Sequence, residues 1–192
     1  MCQQAAWFAR GNPGHACLQG ELAYKAVSYT PYPVEAGAEG ERVRVDVGPV
    51  AARQPRTFVF ENKLRQPSTL VTVTLPRPLG VVFEEDTRRK RAVVAGTVDG
   101  SRAARAAKLA KLDRAQRAQA ALAGDVLRAC TCTTLVYPTK SLVFGLKAPT
   151  RCVVLYGADR ERWEKVATAL KCGLAEDGPV TLVLERQLDA AA

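Results

Sequence analysis

From Leu70 to Leu75 apolar and β-branched residues alternate with threonines, a period of two that predicts a strand. Pro76 to Gly80 ends it in a tight loop, and Val81–Glu85 reads as a second strand. After the charged turn Asp86 to Arg91 comes a third strand, Ala92–Val98. Asp99-Gly100-Ser101 supplies turn and N-cap chemistry for an Ala-rich helix expected over 102–123, with Gly124 as its stop. Strands are then expected at Asp125–Cys130 and Arg151–Tyr156, with a small hairpin between Cys132 and Thr150. Trp163, Val166, Ala167 and Leu170 fall at i, i+3, i+4 and i+7, one face of a helix over 160–172, for which Asp159 is the expected N-cap. Val180–Glu185 is the last strand, and 190–192 is tail.

The first 66 residues are patterned differently. Gly11-Asn12-Pro13-Gly14, Pro31-Tyr32-Pro33 and Gly48-Pro49 leave no room for a long helix. Val43, Val45 and Val47 alternate with Arg42, Arg44 and Asp46, and Thr57–Glu61 is a second short apolar run, so two short strands are expected. Trp7, Phe8, Tyr24, Tyr29 and Tyr32 are large apolar side chains in a segment without a core of its own. Two readings stand: a partly disordered leader, or an extended arm whose aromatics dock on something larger. The expected organisation is therefore an irregular arm over 1–66 and an α+β domain over 67–189 carrying a helical insertion at 102–123.

The 192-residue chain is 47% hydrophobic and 24% charged, within the range of folded globular proteins. Its formal charge of +9 favours acidic partners. Arg102, Arg105, Lys108, Lys111, Arg114 and Arg117 recur every three residues. At ~100° per residue such a series spirals around the helix, and no broad apolar face survives. With Arg88, Arg89, Lys90 and Arg91 these residues are expected to form one basic knob on a projecting helix. It would be a solvated surface or a contact for acidic protein or anionic lipid. Nucleic acid is disfavoured, because no aromatic platform is interleaved with the charge. No apolar run reaches the ~20 residues that span a bilayer, and Arg10 to Pro13 interrupts anything resembling a secretory signal.

Six cysteines are irregularly spaced without a CxxC pair, so free thiols are expected and neither metal nor cofactor. His15 is the one histidine, and no nucleophile motif, phosphate loop or HExxH accompanies it, so no enzyme is expected.

The motifs Pro78-Leu79-Gly80-Val81, Val98-Asp99-Gly100-Ser101, Gly124-Asp125-Val126-Leu127 and Val180-Thr181-Leu182-Val183-Leu184 stand in the order and spacing of the PDZ domain, and the chain resembles the PDZ proteins of plant and algal plastids. That resemblance implies a small barrel of five to six strands with two helices. It also implies a peptide groove built from Leu79, Gly80, Val81, Val82 and Phe83 on one side and Arg162, Trp163 and Val166 on the other. An adaptor or peripheral subunit of a larger chloroplast complex at the thylakoid is the implied role. A recognition partner for a protease and an electrostatic binder of anionic surfaces are the rivals. Two departures weaken the groove's likeness: Arg162 stands near the helix start where many relatives have His, and Pro78 lacks an N–H.

Overall fold

The computed structural model describes residues 22–23, 32–33, 40–64, 67–113, 115–136 and 150–188, with only the backbone described at 22–23 and 32–33. The architecture is α+β: a curled antiparallel sheet, closed about halfway to a barrel, with two helices among the described residues. In chain order the strands are β1 (Leu22–Ala23), β2 (Tyr32–Pro33), β3 (Glu41–Pro49), β4 (Gln54–Phe60), β5 (Ser68–Leu75), β6 (Val81–Asp86), β7 (Arg91–Thr97), β8 (Val126–Val136), β9 (Thr150–Gly157) and β10 (Val180–Gln187). The helices are α1 (Arg102–Leu112) and α2 (Trp163–Lys171).

The sheet is organised around β8. Leu127 pairs with Leu184 of β10 on one edge and with Ala92 of β7 on the other. Two residues later Ala129 pairs with Val183 and, on the β7 side, with Gly157 of β9. β10 also pairs along its whole length with β5, and β7 pairs with β6. The main core fills the concave side. Val71, Val73, Leu75, Val94, Leu127, Cys130, Cys132, Leu182 and Leu184 point into it, as do Val166, Ala169 and Leu170 of α2.

The other face of the sheet is apolar as well, at Ala129, Leu155 and Val183, and this explains the valines before residue 66. Val43, Val45 and Val47 of β3, with Phe58 and Phe60 of β4, bury themselves against those three residues and against Leu70. The β3–β4 hairpin therefore shares a second core with the α+β body. At its end it joins the same sheet, through Gly48↔Val153 and Pro49↔Cys152. β1 adds to β4 in parallel, Leu22 beside Phe58, with β2 paired to β1. Trp7, Phe8, Tyr24 and Tyr29 lie outside the described residues, and of Tyr32 only the backbone is placed.

Two expectations need correction. The helix expected over 102–123 ends at Leu112. Asp113 turns the chain: its carboxylate accepts the Ala115 N–H at 2.8 Å, and a short 3-10 turn, Ala115–Gln119, follows. Arg186 of β10 then captures this segment. It donates to the carbonyls of Arg117 and Ala120 and forms a bidentate pair with the buried Asp125. Ala120 and Ala121 are buried, so the insertion folds back on the body instead of projecting. Asp159 does not cap α2; the N-cap position is Arg162, without a side-chain bond. Asp159 turns to Arg128 instead. Arg88, Arg89 and Lys90 sit in the turn before β7, and α1 follows the other end of that strand. Arg114 lies outside the described residues.

After α2 the chain is held by Asp177, which is buried, accepts the Leu174 N–H at 2.7 Å and pairs with Arg151 of β9. The Arg151 hydrogen bonds hold its carboxyl down to about 2. A carboxylate depressed in this way stabilises the fold fully above its unfolded value of about 3.9, and the contribution is lost as the pH falls toward the folded value. Asp177→Asn is expected to lower stability at neutral pH and to flatten the acid limb between about pH 4 and 2. Urea midpoints measured across that range check this; a variant curve parallel to wild type would exclude the pair as the source.

Candidate functional site

β6 is the edge strand at one end of the sheet. Among the described residues it pairs with β7 alone, so its outer row of N–H and C=O groups has no strand beside it. A sheet edge in this state is a template for an added strand. The pairing with β7 slips between Val82 and Phe83, a bulge that turns the strand there.

Leu79, Val81 and Phe83 are half-buried and pack on the main core, as does Trp163 at the start of α2. Val82 lies 41% exposed. Val166, expected on the groove wall, is 1% exposed and belongs to the core. Arg162 is exposed. The apolar rim beside β6 thus keeps Leu79, Val81, Phe83 and Trp163 but not Val166.

Gly80 sits in the loop before β6 with φ +67, the left-handed region where a side chain is strained. A Cβ there would also fall 2.4 Å from the Ser101 Cβ and 2.6 Å from its Oγ. Ser101 is the N-cap of α1, its Oγ accepting the Ala104 N–H at 3.0 Å. The Gly80 carbonyl accepts the Val98 N–H at 2.9 Å. Glycine is therefore required here to let the loop pass the N-terminus of α1.

Arg77 is a feature that local pattern did not reveal. Its guanidinium reaches 93 residues along the chain to donate to the Leu170 carbonyl at 2.9 Å, and it also bonds the Cys172 carbonyl. Those are the terminal carbonyls of α2, which a cation satisfies both by hydrogen bonding and by charge. The loop opening β6 is thereby fastened to the end of the helix beside it. No short-range signal marks Arg77.

Around the edge the charges are mixed. Asp86 is spent on its own turn, accepting the Arg88 N–H at 3.1 Å and the Arg89 N–H at 3.2 Å. Arg91 is half-buried and donates to the Lys63 carbonyl at 3.3 Å. Arg88, Arg89 and Lys90 are exposed. On α1, Arg105, Lys108 and Lys111 are exposed, as is Arg117 in the turn that follows.

A buried charge network that no local pattern marks joins β8, β10 and the turn before α2. Arg128, 3% exposed, pairs with Asp159 at 2.8 Å and with Glu185, which has no exposed surface. Glu185 also accepts the Lys63 N–H at 2.9 Å, the Leu64 N–H at 2.8 Å and the Ser68 hydroxyl at 2.7 Å. Burial alone would push this carboxyl up. The Leu64 and Ser68 donors and the Arg128 charge outweigh it and hold the carboxyl below its ordinary value. For Arg128 the same holds in reverse: burial would lower its pKa, and Asp159 and Glu185 raise it. The network ties the 61–64 linker of the hairpin to β8, β10 and the turn before α2.

None of the four described cysteines forms a disulfide. Cys130, Cys132 and Cys152 are buried, and Cys172 donates its thiol to the Thr133 carbonyl at 2.9 Å. Burial pushes the Cys152 thiol up, away from thiolate chemistry. Among the described residues no group of three or more His, Cys, Asp and Glu is placed to hold a metal ion. No described helix is long and apolar enough to cross a membrane. No protein family, curated protein or solved structure matches the chain.

Proposed function

We propose that this chain is a non-catalytic protein-binding module that takes an extended peptide onto the open edge of β6, in the manner of a PDZ domain. The observation that carries the proposal is the edge itself: a strand paired on one side only among the described residues, flanked by the half-buried Leu79, Val81, Phe83 and Trp163. Main-chain hydrogen bonds along the edge would supply affinity, and the apolar rim would select alternate side chains of the ligand.

The PDZ reading gains support from strand order. From residue 68 onward three strands precede α1, two separate it from α2, and one follows. The first and last of these strands pair, and the last also pairs with the one after α1. Together with the quoted motifs this favours PDZ over a generic half-barrel. The loop that would receive a ligand carboxylate is braced by Arg77 and Gly80. The adaptor role at a plastid complex belongs to the same proposal and rests on the motif resemblance.

Peptide selection against the full chain, followed by amide-shift mapping with the selected peptides, tests the proposal. Shifts are expected to concentrate at residues 79–86 and 162–166. Comparing free-acid with C-terminally amidated forms reports whether a terminal carboxylate is read. Shifts confined to the β3–β4 hairpin, or no selected peptide at all, would overturn the reading.

A further inference from the structure

The helix α1 is inverted relative to ordinary patterning. Its alanines face the body, with Ala103, Ala104 and Ala110 buried. Its leucines face out: Leu109 is 54% exposed and Leu112 86%. At ~100° per residue, Arg102, Arg105, Lys108, Leu109 and Leu112 all lie within roughly 60° of one direction. Lys111 lies about 120° from that direction, outside the sector, and no acidic residue occurs between Arg102 and Leu112. None of the four cations makes an ion pair among the described residues. Val98, just before the helix, is also 53% exposed, so three of the seven exposed large apolar residues among the described ones fall within the stretch 98–112.

We propose that this face of α1 docks on an anionic lipid bilayer, with Leu109 and Leu112 entering the headgroup–acyl boundary and Arg102, Arg105 and Lys108 meeting lipid phosphates. Charge complementarity excludes a neutral or basic partner. Exposure distinguishes a bilayer from a protein. A peptide-binding site surrounds its apolar anchors with walls, whereas a leucine 86% exposed stands free of the surface, the geometry suited to a flat, deformable phase. Small alanines let the helix lie close against the body, leaving the leucines as its outermost apolar groups. The site is separate from the β6 edge and does not depend on peptide binding there.

The test is co-sedimentation of the full chain with vesicles of phosphatidylcholine alone and with roughly one-third phosphatidylglycerol. Binding is expected only to the second, and Leu109→Ser/Leu112→Ser is expected to weaken it by about tenfold or more. Both leucines are exposed, so circular dichroism and Tm should stay at the wild-type values. Arg105→Glu/Lys108→Glu should abolish binding too. Double-serine partitioning equal to wild type would reduce the effect to diffuse charge attraction and overturn the proposal. So would failure to bind phosphatidylglycerol vesicles while binding polyglutamate, which would place an acidic protein on this face.

Discussion

Replacing Arg128 by alanine is expected to cost about 3–5 kcal/mol of unfolding free energy, read from equilibrium urea denaturation. The size follows from what is left behind. Glu185 has no exposed surface and cannot reach water when its cation goes. Asp159 loses its bidentate partner, and the Glu61 carbonyl loses a donor at 3.0 Å. Glu185 would keep the Lys63 and Leu64 N–H groups and the Ser68 hydroxyl, and its carboxyl would rise as the Arg128 charge is lost. Glu185→Leu creates a different deficit: two linker N–H groups and Arg128 lose an acceptor. The two substitutions share a network, so the double variant is expected to fall well short of the sum. Because Glu185 holds residues 63 and 64, Glu185→Leu should also open the linker between the β3–β4 hairpin and β5 to proteolysis. A loss below about 1 kcal/mol for Arg128→Ala would show that the network is not a stabilising element, since that is the range of an exposed pair.

The same network shows where legibility in the sequence ends. Strands β5, β6, β7, β9 and β10 were readable because each alternates or is β-branched over its own length, and periodicity is a local property. The hairpin valines were readable as strands for the same reason. What they cover was not, because their partners Ala129, Leu155 and Val183 are far away in sequence. The errors came from groups whose local chemistry was overridden at a distance. Asp159 carries an N-cap signal, but Arg128, 31 residues away, takes it. Residues 113–123 have helical composition, but Asp113 and then Arg186, reaching back 69 residues to the Arg117 carbonyl, give the backbone other partners. The α1 leucines were visible, yet nothing local reveals that alanines face the sheet. Alanine contributes little apolar signal while permitting close approach. Of the candidate site, the apolar rim Leu79, Val81, Phe83 and Trp163 was legible; the Arg77 brace was not, for the same reason of distance.

Gly80→Ala is expected to cost about 2–4 kcal/mol, combining the penalty for a side chain at positive φ with overpacking against Ser101. The two parts can be separated. Ser101→Gly removes both atoms that the new Cβ would strike, at 2.4 and 2.6 Å. As an N-cap change to glycine it should cost only a few tenths of a kcal/mol by itself. Gly80→Ala/Ser101→Gly should therefore recover the steric share, leaving about 1–2 kcal/mol that belongs to the backbone. The double-mutant cycle then reads the contact directly, as a coupling of about 1–2 kcal/mol. No coupling would mean that the loop moves away from α1 without cost, and that the close approach of Gly80 to Ser101 does not constrain it. The same pair of variants separates stability from recognition. If the double variant is folded but no longer binds a selected peptide, the left-handed turn at Gly80 is what shapes the receiving loop. If it binds as wild type does, Gly80 serves α1 alone, and the β6 edge carries recognition without the loop.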